Sequence, residues 1–320
     1  MADSVAAPPA VPTGWRRWLV AGLTIAALVV LVAFLARNHR YIAEHWALRP
    51  DAILAIALLT VATLALRGLA NRELFSRLGI IASASDWFQL VTVSSFTNYL
   101  PLSAGMLAKA IFLKRVHLLP YGTFALGQLA LLVVIMSTNG AVGLATLGLA
   151  FPEQLTGIVG TGFVVMIAAG TLMFLPEPLL RRIPERLYAA TKDGVPQLRR
   201  AWPTVALLQF GILMASSAGL AIAFDMGASD IGFAPCVIFT AASMLTRLFS
   251  ITPGAIGIRE FLIGGLAYLT GFELRDAVIA ATATRTVEVA VVFVLGGLFT
   301  RRLSSQVVSS YDEREPGGDC

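Results

Sequence analysis

Charge is what this sequence has least of. Only 13% of its 320 residues are Asp, Glu, Lys or Arg, against about 25% in an ordinary soluble domain. Apolar residues make up 57%, and the mean hydropathy is +0.78. A water-facing surface cannot be built from that supply, which excludes a soluble globular domain. Cysteine and histidine are scarce too. Cys236 and Cys320 give neither a disulfide framework nor metal spacing, and of the histidines His39 and His45 share one loop while His117 lies in another. No Walker-type glycine loop, serine nucleophile elbow or zinc motif occurs, so an enzyme, a metal site and a cofactor are not expected. The short alternating segments of a membrane β-barrel are missing as well.

What is present is a series of long blocks rich in Leu, Ala, Val and Ile. In lipid such blocks satisfy their own backbone hydrogen bonds only as helices. The pattern predicts an all-α, polytopic membrane bundle with six full crossings: 18–36, 51–70, 121–149, 155–175, 202–223 and 276–299. The first ends at Phe34-Leu35-Ala36-Arg37 without a good cleavage site, so it reads as a retained span and not as a signal peptide. Residues 1–14, rich in Pro, and 303–320, polar and without apolar period, read as disordered segments flanking one domain over 15–302.

Two apolar stretches do not fit as simple spans. Trp87 to Leu113 is interrupted by Asn98-Tyr99-Leu100-Pro101-Leu102-Ser103-Ala104-Gly105, and Phe233 to Leu269 by Thr252-Pro253-Gly254-Ala255-Ile256-Gly257. Proline removes a backbone donor and glycine permits sharp reversal, so each centre is expected to break a helix into the two arms of a re-entrant hairpin. Both breaks read Pro-x-x-x-Gly, Pro101 with Gly105 and Pro253 with Gly257. Corresponding interruptions in two halves point to an inverted repeat and to a central transporter site.

The distribution of basic residues orients the chain. Arg72, Arg77, Lys114, Arg115, the loop from Pro176 to Arg200 and the pair Arg301 and Arg302 all fall on one side, while the loops at Glu153 and Asp225 to Asp230 carry no Lys or Arg. The positive-inside rule then places both termini in the cytoplasm, with the first hairpin entering from inside and the second from outside. Arg37, Arg40 and Arg49 in the first external loop run against the rule. The net charge of +5 reflects loops facing anionic headgroups and is not read as nucleic-acid binding.

Within or beside the apolar segments lie Arg67, Lys109, Arg247, Arg259, Glu260, Arg285 and Glu288, five cationic and two anionic. Ionisable groups there tend to face a bundle interior or wet cavity, and a cationic excess suits a phosphate that Arg can grip in bidentate fashion. On this reading Arg259, held by Glu260 and joined by Arg247 and Arg285, binds an anionic headgroup near the turn at Gly254, with Lys109 and Asn98 as further headgroup-binding candidates. The alternatives are packing ion pairs for Arg259 with Glu260 and Arg285 with Glu288, snorkelling for Arg67 and Lys109, and interhelical hydrogen bonding for Asn98, which otherwise lines the cavity. Trp15, Trp18, Trp46, Trp87 and Trp202 read as interface markers.

The string Pro253-Gly254-Ala255-Ile256-Gly257-Ile258-Arg259-Glu260, with Asn98-x-x-Pro101-x-x-x-Gly105 and Lys109, resembles the lysylphosphatidylglycerol synthase transmembrane family, over about residues 15–302. The resemblance implies a flippase-like domain that moves or handles an anionic lipid, a phospholipid or a polyprenyl-linked or glycolipid intermediate, in the cytoplasmic membrane. It also suggests a separate lipid-modifying enzyme or glycosyltransferase as a partner. Ala255 stands where family members often have Gly, and Met106 where many carry an acidic residue. The fused soluble aminoacyl-transferase domain of full-length synthases is not expected within the 18 residues after Arg302. A non-transporting membrane partner, or a membrane-embedded transferase in lipid or glycoconjugate assembly, is the alternative reading.

Overall fold

The computed structural model describes residues 29–47, 49–99, 104–171, 194–227, 231–247 and 257–312, and these are helical throughout, with no strand among them. A helix over 29–37 (α1) leads into α2 (His39–His45), α3 (Pro50–Ser76), α4 (Ala84–Thr97), α5 (Ala104–His117) and α6 (Tyr121–Ala150). A short 3₁₀ turn, Pro152–Gln154, precedes α7 (Ile158–Thr171), α8 (Gly194–Met226), α9 (Phe233–Ser243) with a 3₁₀ extension Met244–Arg247, α10 (Ile258–Leu269) and α11 (Leu274–Asp312).

Four helices are long and apolar enough to cross a membrane: Pro50–Ser76, Tyr121–Ala150, Pro196–Met226 and Leu274–Leu303. At 27 to 31 residues each they reach about 40 Å or more, beyond a ~30 Å hydrocarbon core. Only 33–39% of their apolar windows is buried inside the protein. Exposed apolar side chains on these helices, Leu54, Leu58 and Leu149 among them, form the kind of surface that lipid covers. Of the two other expected spans, 18–36 is described only from residue 29, and 155–175 only as far as Thr171, as α7.

Local chemistry sets the helix ends. Ser83 caps α4, accepting from the Asp86 N–H at 3.1 Å while Asp86 accepts from the Ser83 N–H at 3.3 Å. Pro50 opens α3 at a position where no N–H is missed. Gly257, at φ +84°, takes a left-handed turn before α10 that a side chain would resist, and its N–H donates to Glu260 Oε2 at 2.7 Å. At the far end α11 continues to Asp312, so residues 303–312 are helical where composition suggested disorder. Extending an existing helix fixes one residue per hydrogen bond, which weakly helical polar residues tolerate far better than nucleation.

The apolar interior consists of two clusters at opposite ends of the bundle. One gathers the start of α3 (Ala52, Ile56), the later half of α6 (Met136, Leu147), Phe163 of α7, the end of α8 (Leu220, Phe224), and α9, α10 and the start of α11. The other gathers the end of α3 (Leu74, Phe75), α4 and α5 (Trp87, Leu113), the start of α6 (Phe124), the start of α8 (Leu198, Val205) and Leu303. Each cluster therefore holds one pair of broken half-helices, α9 with α10 and α4 with α5, and the two pairs come from opposite ends. The second end also carries Arg72, Arg77, Lys114, Arg115, Arg199, Arg200, Arg301 and Arg302, and forms a basic face. At the other end Tyr41 ties α2 to Asp276 of α11, and Arg49, just before α3, pairs with Asp225 of α8, both at 2.8 Å. Trp87 is an exception to the interface reading, since it is fully buried and stacks on Phe75 at 5.3 Å.

Candidate functional site

The described residues beside the tips of the two interrupted segments line one shared cavity. In the first, the Gly105 N–H donates to Asn98 Oδ1 at 3.1 Å and Ser94 Oγ donates to the Gly105 carbonyl at 2.9 Å. A Cβ at Gly105 would lie 1.9 Å from the Ser94 carbonyl oxygen, so only glycine lets the arms approach this closely. Phe96 and Tyr99 anchor this tip on Phe293 of α11, at ring distances of 5.0 and 5.9 Å. Pro101, Pro253 and Gly254 lie outside the described residues. The backbone of Arg247 ends the 3₁₀ turn at the second tip, and its side chain is likewise outside them.

Between the tips lies a cavity of about 700 Å³. Its walls include Asn98 and Tyr99 from the first tip, Thr246 and Arg259 from the second, Arg67 from α3, Gln128 from α6, and Arg285 and Glu288 from α11. That volume lies within the ~300–1,000 Å³ of ordinary small-ligand sites. One carboxylate organises the charges. Glu288 Oε2 accepts from Arg259 Nη1 at 2.9 Å and from Arg285 Nη1 at 3.0 Å, and the three side chains are 14–17% exposed. The Arg285 guanidinium also lies 5.1 Å from the centre of the Tyr99 ring, a cation–π contact that joins α11 to the first tip.

Two expectations are corrected here. Glu260 does not hold Arg259. Its Oε2 caps its own helix at Gly257, and the carboxylate that grips Arg259 is Glu288, 29 residues along the chain. The physical reason is direction. Glu260 occupies the third position of α10, where a carboxylate naturally turns back to the helix's first N–H groups. Nor does the Arg285 to Glu288 pair stand apart as a packing element, because it shares its carboxylate oxygen with Arg259.

Arg67 and Lys109 do not snorkel to the surface. Lys109 is buried, donates to Asn71 Oδ1, and lies 5.5 and 5.8 Å from the Phe75 and Trp87 rings. Asn71 in turn donates to the Arg67 carbonyl at 2.8 Å. Both cations are held from the interface by helix length: α3 runs on to Ser76 and α5 to His117, so each sits two turns or more from the C-terminal end of its helix. Arg67 Nε and Gln128 Nε2 are shielded donors without a hydrogen-bond partner, and both belong to cavity-lining residues. An ordinary interior satisfies such groups, so these two are suited to an oxygen-rich guest.

The electrostatic sum follows. Three guanidinium groups against one carboxylate give 3 − 1 = +2 in the cavity wall, before Lys109 is counted. Sequence reading located Arg259, Arg285, Lys109 and Asn98 at this cavity and missed the roles of Glu288, Tyr99 and Gln128. A single carboxylate in an otherwise apolar stretch of α11 was the available signal for Glu288; Gln128, a lone amide in apolar α6, was the other.

The family model described as the lysylphosphatidylglycerol synthase TM region matches residues 19–296. Neither a curated protein nor a solved structure matches the chain.

Proposed function

Because the chain belongs to the lysylphosphatidylglycerol synthase TM region family, we propose that it is a multi-pass membrane protein that binds an anionic lipid headgroup between two re-entrant hairpins and carries it across the cytoplasmic membrane. The observation that supports this most is the cationic cavity between the two tips, in which Arg67, Arg259 and Arg285 face a single carboxylate. Buried positive charge of this kind is costly unless an anion completes it. A phosphodiester offers several acceptor oxygens and one negative charge, which suits forked guanidinium donors.

In this reading α4 with α5 and α9 with α10 are the hairpins, entering from opposite sides, and six crossings surround them. The basic face lies in the cytoplasm with both termini. Headgroup exchange at Glu288 accompanies movement of one half against the other, the arrangement that inverted halves provide. The role is binding and movement, with no bond made or broken.

The test is reconstitution into liposomes with phosphatidylglycerol labelled in one leaflet, following its appearance in the other. Wild-type protein should speed the exchange and Arg259→Ala should not, at equal protein content. Exchange no faster than in protein-free vesicles, with the lipid still bound, would reduce the role to lipid handling without translocation.

A further inference from the structure

We infer that the ligand reaches this cavity sideways, through a window between α5 and α6 framed by Met106 and Leu129, so that the occupant is a tailed lipid drawn from the leaflet at the basic face. The inference rests on the proposed anion site and adds the route and the second half of the ligand.

Exposure carries the argument. Among the described residues that line the cavity, all are buried or half-buried except Met106, at 59%, and Leu129, at 57%. Both are apolar, and they belong to neighbouring helices. Leu131, Leu132 and Ile135 continue an apolar lining along α6, whereas the arginines and Glu288 project from α3, α10 and α11. The cavity thus has a cationic inner end and an apolar mouth.

The mouth does not extend down to the basic face. Leu113, Leu119 and Phe124 close the feet of α5 and α6 in the buried cluster, and Lys114 Nζ sits 4.3 Å from the centre of the Tyr121 ring. Leu129 is eight residues beyond Tyr121, a rise of about 12 Å, and Met106 is eleven before His117, about 17 Å. With a hydrocarbon core ~30 Å thick, the window opens onto acyl chains near the mid-plane and not onto water. A free phosphate has no tail to seat in it. A lipid passes its head inward and leaves its tail outside, and a cavity of about 700 Å³ is of a size for a headgroup and not for long chains as well. Because the window lies in the half of the bundle that contains α4 and α5, the tail remains in the leaflet on the basic side.

The test uses full-length protein in phosphatidylcholine nanodiscs, with two ligands, long-chain phosphatidylglycerol and sn-glycerol 3-phosphate. Met106→Trp and Leu129→Trp both place bulk on exposed positions, where folding is not at stake. Each should weaken binding of long-chain phosphatidylglycerol at least tenfold and leave sn-glycerol 3-phosphate binding unchanged. A phosphatidylglycerol carrying a diazirine on its tail should crosslink to α5 and α6 in the unsubstituted protein. Unchanged lipid binding in both variants, or crosslinks confined to other helices, would overturn the window and leave the anion site intact. Equal affinity for the two ligands would favour a free anion and also overturn it. If neither ligand bound the unsubstituted protein, the anion-site reading itself would fall.

Discussion

Replacing Glu288 by glutamine separates the two things its carboxylate does. It is the shared acceptor of Arg259 and Arg285, at 2.9 and 3.0 Å, with all three side chains 14–17% exposed. Removing the charge takes the wall from 3 − 1 = +2 to +3 and leaves both arginines with a neutral amide. Breaking a buried pair by removing one partner costs ~3–5 kcal/mol, and the low end of that range applies where a cavity lets water in. Toward a ligand the sign reverses, because a phosphate no longer has to displace a carboxylate from the same donors. Unit charges ~4 Å apart interact by about 4 kcal/mol at an effective dielectric of 20. If about a third of that survives rearrangement, ~1.4 kcal/mol remains, a tenfold gain in affinity. We therefore expect Glu288→Gln to melt at a lower temperature without ligand, to gain more than wild type on adding sn-glycerol 3-phosphate, and to bind it about tenfold more tightly. Thermal unfolding with and without the anion, beside a binding titration, measures both. A folded variant that binds the anion no better than wild type would refute the idea that Glu288 and the ligand compete for the same arginines.

Further outcomes follow from other positions. Arg259→Lys should retain part of the lipid exchange and Arg259→Ala almost none, at equal membrane abundance, because lysine keeps the charge and loses the fork; loss of activity only in step with loss of protein would return Arg259 to a packing role. Gly105→Ala should destabilise by at least ~2 kcal/mol, since its methyl group meets backbone at Ser94 and cannot be relieved by a rotamer change; a melting temperature equal to wild type would show that the tip relaxes. Lys109→Met should leave stability unchanged or raise it, because its partners among the described residues are an amide and two rings, with no carboxylate; a large fall in melting temperature would mean that the ammonium is structurally required. In a background lacking Cys236 and Cys320, Ala190→Cys should resist impermeant thiol reagents in intact cells, and labelling from outside would reverse the proposed orientation.

Helix breaks, apolar blocks and the basic face were readable because each depends on residues close in sequence. Asn98 to Gly105 interrupts a helix for reasons those eight residues contain, and Gly257 marks the second break equally well. Pairing across helices was not readable in that way. Glu260 adjoins Arg259 in sequence, yet capping geometry turns its carboxylate to Gly257, while Glu288 reaches Arg259 only because α10 packs on α11. Arg67 was misplaced by a boundary error. Hydropathy ended the second span at residue 70, but α3 continues to Ser76, which buries the stretch in which Arg67 and Asn71 lie. Trp87 was misjudged for a similar reason, since only the fold reveals that Phe75 and Lys109 cover it.

The division of the interior into two apolar clusters has a mechanical consequence. Leu131, on the cavity wall, is the one described residue packed against both. Each end of the molecule is held by its own close-packed side chains, and α3, α6, α8 and α11 run from one end to the other past the cavity. A guest that draws the arginines inward would act between the two packed ends, where Leu131 touches both.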